Sequence, residues 1–277
     1  MPRSPASLPL IRVAIVVLAL AGAFTWLMFD FQAQAIFPTH AVSAPGPLPR
    51  GAERLELVAG TDRLHGVHVP PARRSGERLL ILGFAGNAWN SQDAATYLHQ
   101  LFPEGDVIVF HYRGYRPSTG SASAEALIAD APLVHDLAVE RVKPERTVAV
   151  GFSIGSGVAA ELATRRKLDG LILVTPFDSL AAAAADLYPM LPVKLLFRHE
   201  MDSAAALRRV DVPVAIIAAA DDQLIRPART NALRRSARRL AFDRTIAGTG
   251  HNDLYHSPRF HQAMREALSA LAPAAQR

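Results

Sequence analysis

The spacing of apolar and polar positions changes several times along the chain, and each change marks an element. Residues 13–29, VAIVVLALAGAFTWLMF, are uncharged and apolar on every side. At 1.5 Å per residue this run makes roughly 26 Å of helix. Adding Leu8 to Ile11, with Arg12 snorkelling, brings it to about the thickness of a hydrocarbon core. Residues 37–52 carry four prolines and little periodicity, which predicts a stiff linker. Beyond it the rhythm is regular. Short alternating runs at 55–59 and 64–69 predict two strands across a Gly-Thr-Asp turn. Unbroken apolar runs at 79–84, 106–111, 147–152, 171–176 and 214–220 suit strands buried on both faces, and 240–247 reads as a last strand.

Helical spacing fills the gaps, at 91–102, 123–142, 154–166, 227–239 and 257–272. Ser91 is placed to cap the first of these, Pro132 to kink or break the second, and Pro227 to start the fourth. Strand and helix alternate, so the pattern predicts an α/β fold: a mostly parallel sheet with helices on both faces. Residues 177–211 are longer than a simple crossover requires. Pro189 and Pro192 should divide that interval into short helices, enough for a small cap near 181–211.

The charge pattern bears on the N-terminus. Arg3 and Arg12 precede the apolar run, Asp30 follows it, and the next Lys or Arg is Arg50. The positive-inside rule then keeps residues 1–12 cytoplasmic, makes 13–29 a membrane anchor, and exports everything after it. Trp26 sits toward the far end, where an interfacial aromatic belongs. The competing expectation is a signal peptide cleaved near Ala-Gln-Ala at 33–35, giving a secreted protein. On the anchor reading, 30–52 is the linker and 53–277 the folded domain.

Composition narrows the chemistry. The 277 residues contain no cysteine, which excludes disulfides, thiolate metal sites and cysteine nucleophiles. The net charge of +5 owes much to Arg226, Arg229, Arg234, Arg235, Arg238 and Arg239. No aromatic residues interleave with them, so they read as a solvated helix face and not as a nucleic-acid surface.

One strand ends unusually. In TVAVGFSIGSG (147–157), an apolar run stops at Ser153, with Gly151 and Gly155 on either side. A strand entering a helix through so tight a turn strains the backbone at the serine and exposes its hydroxyl at the helix's positive end. Glycines would be needed where β-carbons would clash. The plainer alternative is a glycine-rich turn with a capping serine. A serine hydroxyl is a weak nucleophile; it needs a base, and the base needs an orienting acid. Asp221 and Asp222 leave one later strand, and His251 lies in a glycine-flanked loop leaving the last. An oxyanion would need two backbone donors. Ile154 N–H, directly after the serine, is one candidate. Phe84 N–H, in LGFAGN after the first long buried strand, is the other.

These segments carry a family resemblance. LGFAGN (82–87), HYRGYRPSTG (111–120), GFSIGSG (151–157), TPFDSL (175–180) and GTGHND (248–253) resemble, in order, the conserved segments of membrane-anchored, single-domain α/β-hydrolase-superfamily serine hydrolases. The likeness spans roughly 53–272. It implies an α/β-hydrolase fold with an eight-stranded sheet and a short helical cap behind a transmembrane helix. It further implies Ser153 as nucleophile, His251 as base, and Asp222 as acid, since Ile225 stands three residues after it. Leu82 and Phe84 replace a His and an Asn of the family's oxyanion loop, so its polar lining is absent here. Arg113 and Tyr115 fall in a family motif and read as structural.

The expected activity is hydrolysis of a carboxylic ester or thioester, on a small-molecule or lipid-like acyl substrate, with no metal or organic cofactor. The alternatives are a peptidase or amidase on the same triad, and a binding protein that keeps only the fold.

Overall fold

Strands in the middle of the chain are buried on both faces, and that decides the architecture. In β3 (Leu79–Phe84), Leu80, Leu82 and Phe84 join one hydrophobic cluster, while Leu79 and Ile81 join a second on the opposite side. Each such side chain removed from water contributes about 1.5–3 kcal/mol, so neither face can be left bare. Helices cover both. The computed structural model describes residues 7–73, 76–190, 193 and 197–272; in the N-terminal helix it describes the side chains of 11–19, 22–23 and 32–36.

Eight strands form one sheet. The others are β1 (Glu53–Ala59), β2 (Asp62–Val69), β4 (Asp106–Phe110), β5 (Arg146–Phe152), β6 (Gly170–Val174), β7 (Val214–Ala219) and β8 (Leu240–Ile246). Their spatial order is β1-β2-β4-β3-β5-β6-β7-β8. β2 runs antiparallel to β1 and to β4, and all other neighbours are parallel. The register brings the carboxyl ends together: Phe84 lies opposite Gly151, Phe152 opposite Val174, Val174 opposite Ile217, and Ala219 opposite Ile246. The loops leaving β3, β5, β7 and β8 therefore gather at one edge, where open α/β sheets bind their ligands.

The helices are α1 (Ser7–Ile36), α2 (Ser91–Leu101), α3 (Ala124–Val142), α4 (Ile154–Ala163), α5 (Leu180–Leu187), α6 (Ser203–Arg209), α7 (Pro227–Arg234) and α8 (Pro258–Ala270). Two local expectations change. The cap of α2 is Asn90, whose side chain accepts from Gln92 N–H; Ser91 is the first helical residue. Pro132 does not end α3. Leu127, Ala131, Val134 and Ala138 on both sides of it pack into the same cluster, which holds the two halves in line. The cap region carries α5, which ends just before Pro189, and α6.

The expected anchor at 13–29 falls within α1, and its residues 20–21 and 24–29 lie outside the described side chains. Among the described residues, no helix is long and apolar enough to cross a membrane. Residues 11–19 of α1 are exposed, and among them Ile11, Val13, Ile15, Val16, Val17 and Leu18 are all more than half exposed. The stretch read as a stiff linker is fastened to the domain. Asn87 donates to Ile36 O at 3.0 Å, Asn90 to Ser43 O at 3.0 Å, and Gln92 to Gly46 O at 2.6 Å, while Phe37 is buried in the core.

Candidate active site

Ser153 stands between β5 and α4 with φ 50° and ψ −116°, a backbone state that only a tight, over-determined turn maintains. Its flanking glycines are sterically required. A β-carbon on Gly151 would lie 2.3 Å from Gly155 O, and one on Gly155 would lie 2.2 Å from Phe84 O. Both neighbours are backbone, which cannot swing aside. The turn thus presents the Ser153 hydroxyl at the N-terminus of α4. Ile154, the first residue of that helix, has no carbonyl one turn behind it for its N–H.

The loops leaving β7 and β8 supply the partners. Asp222 and His251 are 4% and 9% exposed. His251 Nδ1 lies 2.8 Å from Asp222 Oδ2, and His251 Nε2 lies 3.0 Å from Ser153 Oγ. Asp222 Oδ1 accepts from Leu224 N–H at 2.9 Å and Ile225 N–H at 2.7 Å, which fixes the carboxylate. Asp221 has an exposed side chain and contributes its backbone: its N–H donates to Thr249 O at 2.9 Å, tying the two loops together. Gly248 (φ 70°) turns the histidine loop, and Gly250 N–H donates to Asp253 Oδ1 at 2.6 Å.

Ser153 and His251 face a cavity of about 540 Å³, which Ile154 also lines. That volume is within the range of small-molecule sites. One wall is aromatic. Trp89 packs on Phe152 and Tyr255 with ring centroids 5.1 and 5.2 Å apart, and Tyr97 OH donates to Tyr255 O at 2.7 Å. Burial pushes the Tyr255 phenol up to about 12 and raises that of Tyr97 further, so both remain protonated at neutral pH. Phe177 and, from α5, Leu180, Ala183, Ala184 and Leu187 also line the cavity. The cap is held by Arg229 of α7, which pairs with Asp178 at 3.2 Å and Asp186 at 3.1 Å.

Phe84 ends β3 with its side chain in the core; Gly86, Asn87 and Ala88, just beyond it, reach the cavity. Tyr112 OH donates to Ala85 O at 2.8 Å and steadies this loop from behind. Arg113 lies away from the cavity. It is bidentate to Asp130 at 3.0 and 2.5 Å, and 2.6 Å from Asp62. Tyr115 is buried against Tyr112. Among the described residues no group of three or more His, Asp or Glu is arranged to hold a metal ion. Sequence reasoning did not reach Trp89, Tyr97 and Tyr255. Their only signal is proximity to the glycine loop and to His251.

A sheet of this order, with a serine at its central strand-to-helix turn, defines an α/β hydrolase fold. Among solved structures, the Pyrococcus furiosus esterase PF2001 superposes with a TM-score of 0.68 over 84% of this chain and 97% of its own, at 14% identity. An α/β hydrolase from Vibrio vulnificus does so with a TM-score of 0.69 over 88% and 94%, at 16% identity. At such identities these show the fold alone. In sequence, the uncharacterized protein MT2364 of Mycobacterium tuberculosis is 32% identical over 247 residues, 87% of each chain. The chain belongs to the family of that mycobacterial protein and has the α/β hydrolase fold. The lysophosphatidylserine lipase ABHD12 of Danio rerio is 30% identical over 137 residues, 43% of this chain and 36% of its own. No family model matches.

Proposed function

We propose that this hydrolase is a serine esterase or thioesterase acting through Ser153, His251 and Asp222. The observation that carries the reading is the continuous hydrogen-bonded line from Asp222 through His251 to Ser153. Asp222 holds the imidazole with Nδ1 protonated and Nε2 free to accept. As Ser153 Oγ bonds to the acyl carbon, its proton passes to His251 Nε2. The oxyanion is held by Ile154 N–H and, as second donor, Phe84 N–H at the foot of the glycine loop. The carbon–oxygen or carbon–sulfur bond to the leaving group then breaks, and His251 returns the proton to that group. Water, deprotonated by His251, attacks the acyl-enzyme and releases the acid and Ser153. The scheme uses no metal and no cofactor.

The cavity wall is mainly hydrocarbon and aromatic ring, which suits an acyl chain better than a peptide. The lipase name of the Danio rerio relative points the same way. A series of p-nitrophenyl esters tests this. Each added methylene that enters the cavity should raise kcat/KM roughly four-fold, from about 0.8 kcal/mol of burial, until the cavity is full. A flat series would contradict the acyl assignment. No turnover of any ester by folded protein would favour a non-catalytic binding role.

We also propose that α1 holds the domain at a membrane, with residues 1–12 cytoplasmic and the domain on the far side. The support is its uncharged run and the bare apolar side chains at 15–18. Sedimentation with the membrane fraction that resists carbonate washing tests this; release into the wash would overturn it.

A further inference from the structure

Part of the cavity wall comes from the N-terminal helix, ahead of the first strand. Ala35 and Ile36, the last two residues of α1, line it together with the cap. Their place is fixed by Asn87, which reaches from the glycine loop to Ile36 O, and by buried Phe37 just beyond. The helix that forms part of the cavity is therefore continuous with the apolar run.

That run has no protein partner where it is described. Ile15, Val16, Val17 and Leu18 are 57–70% exposed. Four successive positions at 100° steps sweep every side of a helix. A helix apolar all round and uncovered is suited to hydrocarbon. The distance from there to the cavity is short. From residue 29 to Ala35 is six residues, about 9 Å of helix. The headgroup layer of a bilayer is about 5–8 Å deep on each side. Hydrocarbon around the apolar run thus leaves the cavity at headgroup level. The cavity mouth has a matching surface. Leu187, Tyr188 and Leu224 line it yet stay 37–42% exposed, and Met190, two residues past Tyr188, is 93% exposed. Single exposed apolar residues are ordinary, whereas a group around an apolar cavity marks an interaction site.

We propose that the cavity opens onto a lipid surface and that its substrate is a lipid ester, whose acyl chain passes from the bilayer into the cavity past Ala35 and Ile36. α1 then both anchors the domain and completes the acyl site. The proposal rests on the reading of Ser153 as a hydrolytic nucleophile.

The test uses the full chain reconstituted in phosphatidylcholine vesicles, with two substrates. One is a long-chain monoacylglycerol incorporated in the vesicles, followed by fatty acid release; the other is water-soluble p-nitrophenyl butyrate. A variant carries a flexible Gly-Ser insertion of about ten residues after Asp30, which loosens the domain from the membrane by roughly 17 Å. The insertion should lower monoacylglycerol hydrolysis roughly ten-fold, because the mouth is no longer held against the lipid, and leave butyrate hydrolysis unchanged. Equal monoacylglycerol rates in both proteins would overturn the proposal. So would an equal loss of both activities, which would make residues 35–36 a structural strut alone. Fluorophosphonate labelling of Ser153, read in the same samples, separates the two claims. A chain that labels and cleaves butyrate but ignores the vesicle lipid refutes only the lipid proposal; one that neither labels nor cleaves refutes the hydrolase reading beneath it.

Discussion

Asp222 and His251 stand 29 residues apart in the chain and meet through a 2.8 Å hydrogen bond, while Asp221 turns its side chain to solvent. Two adjacent carboxylates at one strand exit thus have different situations. Asp222 lies buried, accepting from two backbone N–H groups and facing the imidazole. Asp222→Asn should therefore reduce kcat on a p-nitrophenyl ester by about 10⁴, by favouring the wrong histidine tautomer. Asp221→Asn should leave it nearly unchanged, because only its backbone takes part. Steady-state kinetics on both variants check the assignment, and the opposite ranking would transfer the role to Asp221.

The elbow glycines yield a stability prediction with an internal contrast. A methyl group on Gly155 would meet Phe84 O at 2.2 Å, and Gly155→Ala should destabilise the protein by about 2 kcal/mol or more and displace Ser153. A methyl on Gly157 would meet Met201 Sδ at the same 2.2 Å. That neighbour is the flexible part of a side chain that can change rotamer. Gly157→Ala should cost clearly less. Thermal melts of the two variants read the difference, at roughly 2–4 °C per kcal/mol for a domain of this size.

His111 ties stability to pH. It is buried at the end of β4, and desolvation, assisted by His65 and Arg54, lowers its pKa to about 4. In the unfolded chain it titrates near 6.5. Between those values the unfolded state binds a proton that the folded state does not. Stability should fall as pH drops from about 6.5 to about 4, by roughly 3 kcal/mol from this group, and its contribution should be constant above and below that window. Urea unfolding midpoints for wild type and His111→Gln across the window check this: the slope should be shallower in the variant.

Much of the candidate site was legible because apolar strands announce their own ends. Ser153, Asp222 and His251 each follow an apolar or strand-like run, and parallel strands bring such exits to one edge. The glycines around Ser153 were legible because a strand-to-helix turn leaves no room for β-carbons. What could not be read depends on tertiary placement. No local pattern says that Ala35 and Ile36 reach a cavity shared with Leu187, or that Trp89, Tyr97 and Tyr255 stack into one wall. Asn90 replaces Ser91 as the cap of α2 because the turn begins one residue earlier, and either residue type could serve. Pro132 looked like a break because it lacks an N–H, yet core contacts on both sides of it hold α3 continuous.

The central claim is that Ser153 is a nucleophile activated by His251. Treating wild type and Ser153→Ala with a fluorophosphonate, then mapping the adduct by mass spectrometry, tests it most directly. Alanine keeps the β-carbon and asks no new backbone geometry at φ 50°, so the variant should melt at nearly the wild-type temperature. One adduct is expected, on the peptide bearing Ser153, and none in the variant. An adduct on another residue, or labelling that persists in Ser153→Ala, would contradict it.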